Sequence, residues 1–198
     1  MKIFKNPLLL AQHLVAQVLC PGDTAVDATA GNGHDTVFLC RTVGPQGVVY
    51  AFDNQPLAVG RTAERLREQG LETRVYLIAA GHEQMADYVW QPAKAVMFNL
   101  GYLPGSGHRF ATRPETTVAA LEQARRILAP GGLITVVVYT GHEGAAAEQA
   151  AVDEWASSLP QEEWTAVCFT FQNWRNNPPY LLALLKKTTG EQKGGLNC

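Results

Sequence analysis

The chain lacks any pair of cysteines spaced to clasp a metal. Its four cysteines, Cys20, Cys40, Cys168 and Cys198, are scattered and none forms a CxxC pair. Neither a metal site nor a disulfide framework is expected, and a reduced, cytoplasmic setting fits. Positive charge is not in surplus either: 16 Lys and Arg against 18 Asp and Glu leave a formal net charge of −2, with pI ≈ 6.2. No global basic field exists to hold nucleic acid non-specifically, so any RNA partner must be gripped by a local patch. No apolar stretch approaches the roughly 20 residues of a membrane span. The opening "MKIFKNPLLLAQHLVAQVL" has a basic start and an apolar run, but Gln12, His13 and Gln17 interrupt the run and no A-x-A-like cleavage site follows. It reads as an amphipathic helix. Oligomeric state stays open, a homodimer included.

What is present is the material for one domain: 198 residues, 46% of them hydrophobic, enough for one full core and too little for two. The domain is expected over residues 1–187. The remainder, "TTGEQKGGLNC", has little to bury and reads as a disordered tail. Asn6 is placed to cap a helix and Pro7 to start it, predicting a helix over 7–19. "PGDTAVDATAGNGHD" reads as a turn, a short strand over 24–27 and a glycine-rich loop, followed by a helix over 35–42. "GVVYAFD", "RVYLIAA", "AKAVMFN" and "LITVVVY" are further strands. Pro56 and Pro114 open helices ending near Gly70 and at "APGG", and another helix covers 143–158. "WTAVCFTF" and "YLLALLKK" close the domain, joined by "QNWRNNPP".

Strands alternate with helices, and the strands are continuous apolar runs, the pattern of a parallel sheet covered on both faces. The last two strands are too close for a helical crossover and must pair antiparallel. The expected fold is therefore α/β: a seven-stranded, mostly parallel sheet with a C-terminal antiparallel hairpin and helices on both faces. In element order it resembles the Rossmann-like class I methyltransferases from end to end. Ligands of such sheets sit at the carboxyl ends of the strands, which directs attention to the loops after Asp27, Asp53, Ala80, Asn99, Tyr139 and Phe171.

Gly31 and Gly33 follow the first strand, where glycines let a ligand approach the backbone and the next helix offers its N-terminus. Asp53 ends the next strand, where an acid can bind ribose hydroxyls. The loop "AGNGHDT" is not G-x-G-x-x-G, because Thr36 stands where a dinucleotide site wants a third small residue. S-adenosylmethionine (SAM) has no pyrophosphate and does not need that approach. Asp27 is the acid expected near its methionine amino end, and His82 and Glu83 would lie beside adenine. The bland alternative is that Asp27 caps a turn, Asp53 caps a helix, and His82 and Glu83 merely start one.

"FNLGYLPG" ends the fourth strand, beside the transferable methyl of a class I methyltransferase. An alkylamine acceptor is mostly protonated at neutral pH and has no lone pair in that form. A site must hold it neutral by accepting its N–H groups, which carbonyl oxygens do well. The Asn99 side chain and a backbone carbonyl near Leu100 can serve, Gly101 permits the turn, and Tyr102 offers a stacking face. The four are the candidate catalytic set. They are similar to the Asn/Asp-Pro-Pro-Tyr motif of amino-group methyltransferases, with Leu-Gly replacing Pro-Pro. The plainer reading is a glycine-rich turn capped by Asn99.

Taken together, "VDATAGNGHDTVFL", "FDNQ", "HE", "FNLGYLPG", "TRPETTVAAL", "GHEG" and "NNPP" occur in an order that resembles the MnmM/YtqB-like family of class I SAM-dependent methyltransferases, once labelled rRNA methylases. The match spans residues 6–187. Gly81, Thr140 and Trp174 stand where a small polar, a histidine-like and a glutamine residue are expected. The resemblance implies methylation of 5-aminomethyl-2-thiouridine at the tRNA wobble position, with SAM as cofactor, no metal, and an anticodon stem-loop as partner. It implies cofactor contacts from Asp27, Ala28, Gly31, Asn32, Gly33, Asp35, Thr36, Asp53, Asn54, Gln55, His82, Glu83 and Asn99. For the RNA, His108, Arg109, Arg113, His142, Arg175 and Asn176 would form a cationic and polar rim, with Tyr102 and Trp174 stacking on bases; taken singly, such arginines are ordinary solvated charges. Competing functions are a SAM enzyme acting on rRNA or a small-molecule amine, and a non-catalytic nucleotide-binding module.

Overall fold

The structure, a computed structural model, describes residues 3–101, 112–141 and 145–188. Tyr102, His108, Arg109 and His142, expected to act at the site, and all but the first residue of the expected tail lie outside the described residues. Among the described residues the order is α1 (Pro7–Val18), β1 (Thr24–Asp27), α2 (His34–Val43), β2 (Val48–Phe52), α3 (Pro56–Glu68), β3 (Val75–Ile78), β4 (Ala93–Asn99), α4 (Pro114–Ile127), β5 (Leu128–Val138), α5 (Ala145–Ser158), β6 (Trp164–Phe169) and β7 (Tyr180–Lys186), with a 3-10 segment at His82–Asp87 before β4. No described helix is long and apolar enough to cross a membrane.

The first helix forms as its sequence dictates. The Asn6 side chain accepts from the Leu9 amide at 2.8 Å, and Pro7 occupies the first turn, where its missing N–H costs nothing. Leu10, Ala11 and Val15 form the buried stripe that fastens α1 to the sheet. Replacing Asn6 by Ala removes about 1 kcal/mol of capping.

The strands make one sheet in the order β3-β2-β1-β4-β5-β7-β6. β1 to β5 are parallel, and β7 inserts between β5 and β6, antiparallel to both. Alternation along the strands sorts side chains into two layers. On β4, Val96 and Phe98 join a core with Phe52, Met85, Leu121 and Val152. Ala95 and Met97 face the other way, joining Leu10, Val15, Leu39 and Val43. Helices α4 and α5 thus cover one face, and α1 and α2 the other.

β5 departs from expectation. It begins at Leu128 rather than after "APGG", pairing Leu128 with Ala93, skipping register, and resuming at Leu133 opposite Ala95. The Pro-Gly-Gly stretch is carried as an irregularity inside the strand, with the Lys94 ammonium donating to the Pro130 carbonyl at 3.3 Å.

β1 and β4 are neighbours, yet the chain leaves β1 toward β2 on one side and β4 toward β5 on the other. The two exits diverge and open a crevice at their carboxyl ends, the usual ligand position in open α/β sheets.

Candidate active site

A cavity of about 440 Å³ occupies that crevice, a size suited to a nucleoside-bearing ligand. The first loop supplies Ala28, Gly31, Asn32 and Asp35 to its wall, the second Asp53, Asn54 and Gln55, the third His82 and Glu83, and β4 supplies Asn99 and Gly101. Arg113 lies at the wall beside Thr112 and Thr116.

Three of the expected cofactor residues stand behind the wall. Asp27 is 1% exposed, and its carboxyl accepts from the Thr29 amide at 3.1 Å and the Thr36 hydroxyl at 2.6 Å. Thr36 is fully buried by that role. Gly33 has φ +77, and a Cβ on it would meet the Thr62 Cα and Oγ1 at 3.1 Å. Its small size admits α3, not the ligand.

Helix α3 grips the glycine loop from outside. The Thr62 hydroxyl donates to the Gly31 carbonyl at 3.2 Å, Arg61 donates to the Asn32 side-chain oxygen at 3.2 Å, and Arg65 Nε donates to the Asn32 carbonyl at 2.6 Å. From inside, Asp53 accepts the amides of Gly31 and Gln55, each at 2.9 Å. Asp53 is therefore both cavity wall and loop fastener.

Two acids sit close enough here for their charges to interact. Burial, then the nearby Asp35 charge, pushes the Asp27 carboxyl up to about 7. Burial also raises Asp35, partly offset by Gln12, whose side-chain amide donates to it at 2.7 Å. Such a pair favours a cationic ligand, which replaces lost hydration and relieves their repulsion. At the third loop, burial holds the His82 pKa below its ordinary value. The Ala28 carbonyl, 3.2 Å from His82 Nδ1, can only accept, so Nδ1 carries the proton and Nε2 of the neutral ring is an acceptor. Glu83 folds its carboxyl over Gly81, where an added Cβ would lie 2.2 Å from Oε1.

At the end of β4, Asn99 Oδ1 is buried and accepts no hydrogen bond among the described residues. The Asn99 amide donates to Thr29 Oγ1 at 2.8 Å. Leu100 is 1% exposed, its side chain in the core and its amide donating to Val137 at 2.9 Å. Gly101, at φ +143, faces the Tyr139 ring, 3.6 Å from where a Cβ would sit.

Of the remaining described candidates, Trp174, Arg175 and Asn176 do not line this cavity. Trp174 stacks on Phe171 with ring centroids 4.3 Å apart, in a separate groove with Phe4 and Leu10. Arg175 and Asn176 are exposed in the same hairpin, where Asn176 and Asn177 have φ +63 and +49; the Thr140 hydroxyl donates to the Asn177 carbonyl. His13 is exposed on α1, while Gln12 and Leu8 of that helix reach the site. Sequence reasoning had passed over Gln12, Thr29, Thr62, Arg65 and Thr112. Thr29, inside "DATAG", and Thr112, at the start of "TRPETTVAAL", carried a local signal.

The sequence profile of the family described as "Putative rRNA methylase" matches residues 49–185. The chain belongs to this family. An Arabidopsis thaliana relative described as a chloroplastic tRNA (mnm(5)s(2)U34)-methyltransferase is 40% identical over 189 residues, covering 88% of this chain and 68% of that one. The crystal structure of a rRNA methylase family protein from Clostridium thermocellum superposes with TM-score 0.90 at 43% identity, covering 92% of this chain and 98% of that chain. A Streptococcus mutans protein described as a "putative methyltransferase", solved in complex with SAH, gives 0.85 at 36% identity, covering 92% and 99%. The rRNA methylase family has the class I methyltransferase fold, and this member is a SAM-dependent methyltransferase.

Proposed function

We propose that the chain transfers a methyl group from S-adenosylmethionine to the primary amine of 5-aminomethyl-2-thiouridine at the tRNA wobble position, giving 5-methylaminomethyl-2-thiouridine. One observation carries the chemistry: Asn99 lines the cavity, and its Oδ1 is a buried acceptor without a donor among the described residues. Such an oxygen costs about 1–3 kcal/mol, recovered when a ligand N–H arrives. The wobble uridine is supported by the description of the Arabidopsis relative.

The residues fit the cofactor. Asp27 and Asp35 supply the negative field a sulfonium and an ammonium need, and Asp53 and neutral His82 offer acceptors along the wall. When bound, SAM supplies a methyl group activated by the sulfonium. Asn99 accepts an amine N–H and so holds the acceptor in its neutral form. An amide suits this task better than a carboxylate, whose full charge would stabilise the unreactive ammonium. The C–N bond would form as the methyl–sulfur bond breaks, the cofactor would leave as the neutral thioether SAH, and the extra proton on nitrogen would pass to water. On the RNA side, Arg113 stands at the cavity and the hairpin bearing Trp174, Arg175 and Asn176 lies at the same sheet edge, the positions at which phosphate and base contacts would be made.

Asn99→Ala tests the assignment. Turnover is expected to fall by about 100-fold or more, while SAM affinity measured by calorimetry stays within about twofold. Full turnover would remove Asn99 from the mechanism. For the substrate, nucleoside mass spectrometry of tRNA from a deletion strain should show 5-aminomethyl-2-thiouridine accumulating and its methylated product lost. An unchanged tRNA profile with a missing rRNA methyl group would favour rRNA instead.

A further inference from the structure

Glu148 on α5 is 1% exposed and has no role in the chemistry so far described. A buried carboxyl is costly unless its oxygens are satisfied. Both are taken by threonine hydroxyls: Thr112 donates to Oε2 at 2.8 Å and Thr117 to Oε1 at 2.6 Å. Among the described residues it forms no ion pair.

The two arms lead to different places. Thr117 is fully buried on α4, and its arm ties two helices together. Thr112 borders the cavity. A hydroxyl has one proton, and Glu148 holds that of Thr112, so a lone pair is turned to the Gly101 amide, which donates to it at 3.1 Å. The Thr112 amide returns a bond to the Gly101 carbonyl at 3.0 Å. Both backbone polar groups of Gly101 therefore end on Thr112. Two residues earlier, the Asn99 amide is held by Thr29. The segment Asn99–Gly101 is clamped at each end, and Glu148 sets the second clamp.

We infer that Glu148 is a positioning residue for the acceptor end of the site: through Thr112 it holds Gly101, and with it the backbone that aims Asn99 at the amine. The inference rests on the assignment of Asn99 as the amine's acceptor. Geometric errors of about 1 Å at a reacting centre cost up to about 100-fold in rate, so a clamp remote from the cofactor is expected to act on turnover and not on cofactor affinity.

The test compares the arms in the full-length protein, using Glu148→Ala, Glu148→Gln, Thr112→Val and Thr117→Val. Thr112→Val and Glu148→Ala should lower kcat on aminomethyl-bearing tRNA by about tenfold or more, with SAM affinity unchanged. Glu148→Gln, whose amide oxygen still accepts from Thr112, should recover part of the loss. Thr117→Val should lower the melting temperature and leave kcat within about twofold. Hydrogen exchange gives a readout that does not depend on the acceptor: the Gly101 amide should lose protection in Glu148→Ala and Thr112→Val but keep it in Thr117→Val. Unchanged protection in the first two, or equal loss of kcat in Thr112→Val and Thr117→Val, would overturn the role of Glu148. A wild-type protein that does not methylate the tRNA would instead overturn the substrate assignment, with the exchange result still deciding the clamp.

Discussion

The main-chain amide of Asn99 donates to the side-chain hydroxyl of Thr29 at 2.8 Å, and the Thr29 amide in turn donates to the Asp27 carboxyl at 3.1 Å. The cofactor loop and the amine's proposed acceptor are thus joined through one threonine. Thr29→Val keeps the volume and removes the hydroxyl, leaving the Asn99 amide unpaired at a cost of about 1–3 kcal/mol. Kinetics and calorimetry together should show turnover and SAM affinity falling in this variant, with Thr29→Ser close to wild type. Intact affinity in Thr29→Val would mean the two ends are not coupled.

Asp27 makes stability depend on pH. Its folded pKa of about 7 lies above the ordinary carboxyl value of 3.8, raised by burial first and Asp35 second. The folded state therefore holds the proton over a range where the unfolded chain has released it. Stabilisation from this group is fully present below the unfolded pKa and is lost as pH rises to about 7, a few kcal/mol at most. Urea unfolding at a series of pH values should show that decline in the wild type and a flatter profile in Asp27→Asn. Affinity for cationic SAM should run oppositely, strengthening with pH by up to about tenfold per unit below the folded pKa. The uncharged thioether of SAH should respond less.

Two glycines near the loop should answer alanine in opposite ways. At Gly33, φ +77 and contacts of 3.1 Å to Thr62 leave no room for a Cβ. Gly33→Ala should destabilise the protein by about 1–3 kcal/mol and weaken SAM binding. Gly60 lies inside α3 with nothing within 4 Å of an added Cβ. Gly60→Ala should stabilise by about 0.5–1 kcal/mol without changing turnover. Paired thermal melts decide both, and a stabilising Gly33→Ala would show that α3 yields easily.

Much of this architecture is legible in the sequence because its signals are local. Pro7, Pro56 and Pro114 mark helix starts that the structure keeps, and Asp27 and Asn99 end β1 and β4 as expected. The "APGG" stretch misleads, since Pro and Gly suggest a loop by composition while β5 carries them as an irregularity, with Gly131 at φ +68 absorbing the extra residues. At the site, Gly31, Asp53, His82 and Asn99 are readable from their places at strand ends. The side on which a residue works is not: Asp27, Gly33 and Thr36 sit behind the wall because α3 and Thr29 claim their contacts. Thr62 and Glu148 carry no local mark at all, because a threonine or glutamate on a helix acquires its role only when the fold brings another element against it; Thr112, in the stretch before α4, opens the quoted "TRPETTVAAL" but shows nothing there of its bonds to Gly101 and Glu148.

The paired bonds between Gly101 and Thr112 have a consequence for how acceptor choice can change. They close a stem across residues 102–111, and the entropy of closing a chain grows slowly with length, about 0.6 kcal/mol per doubling. The cost of a change in chain length between those two anchors is therefore small, while the backbone that presents Asn99 stays in place. Changes in the number of residues at that point leave the Thr29 and Thr112 holds on Asn99–Gly101, and with them the donor side of the site, unaltered.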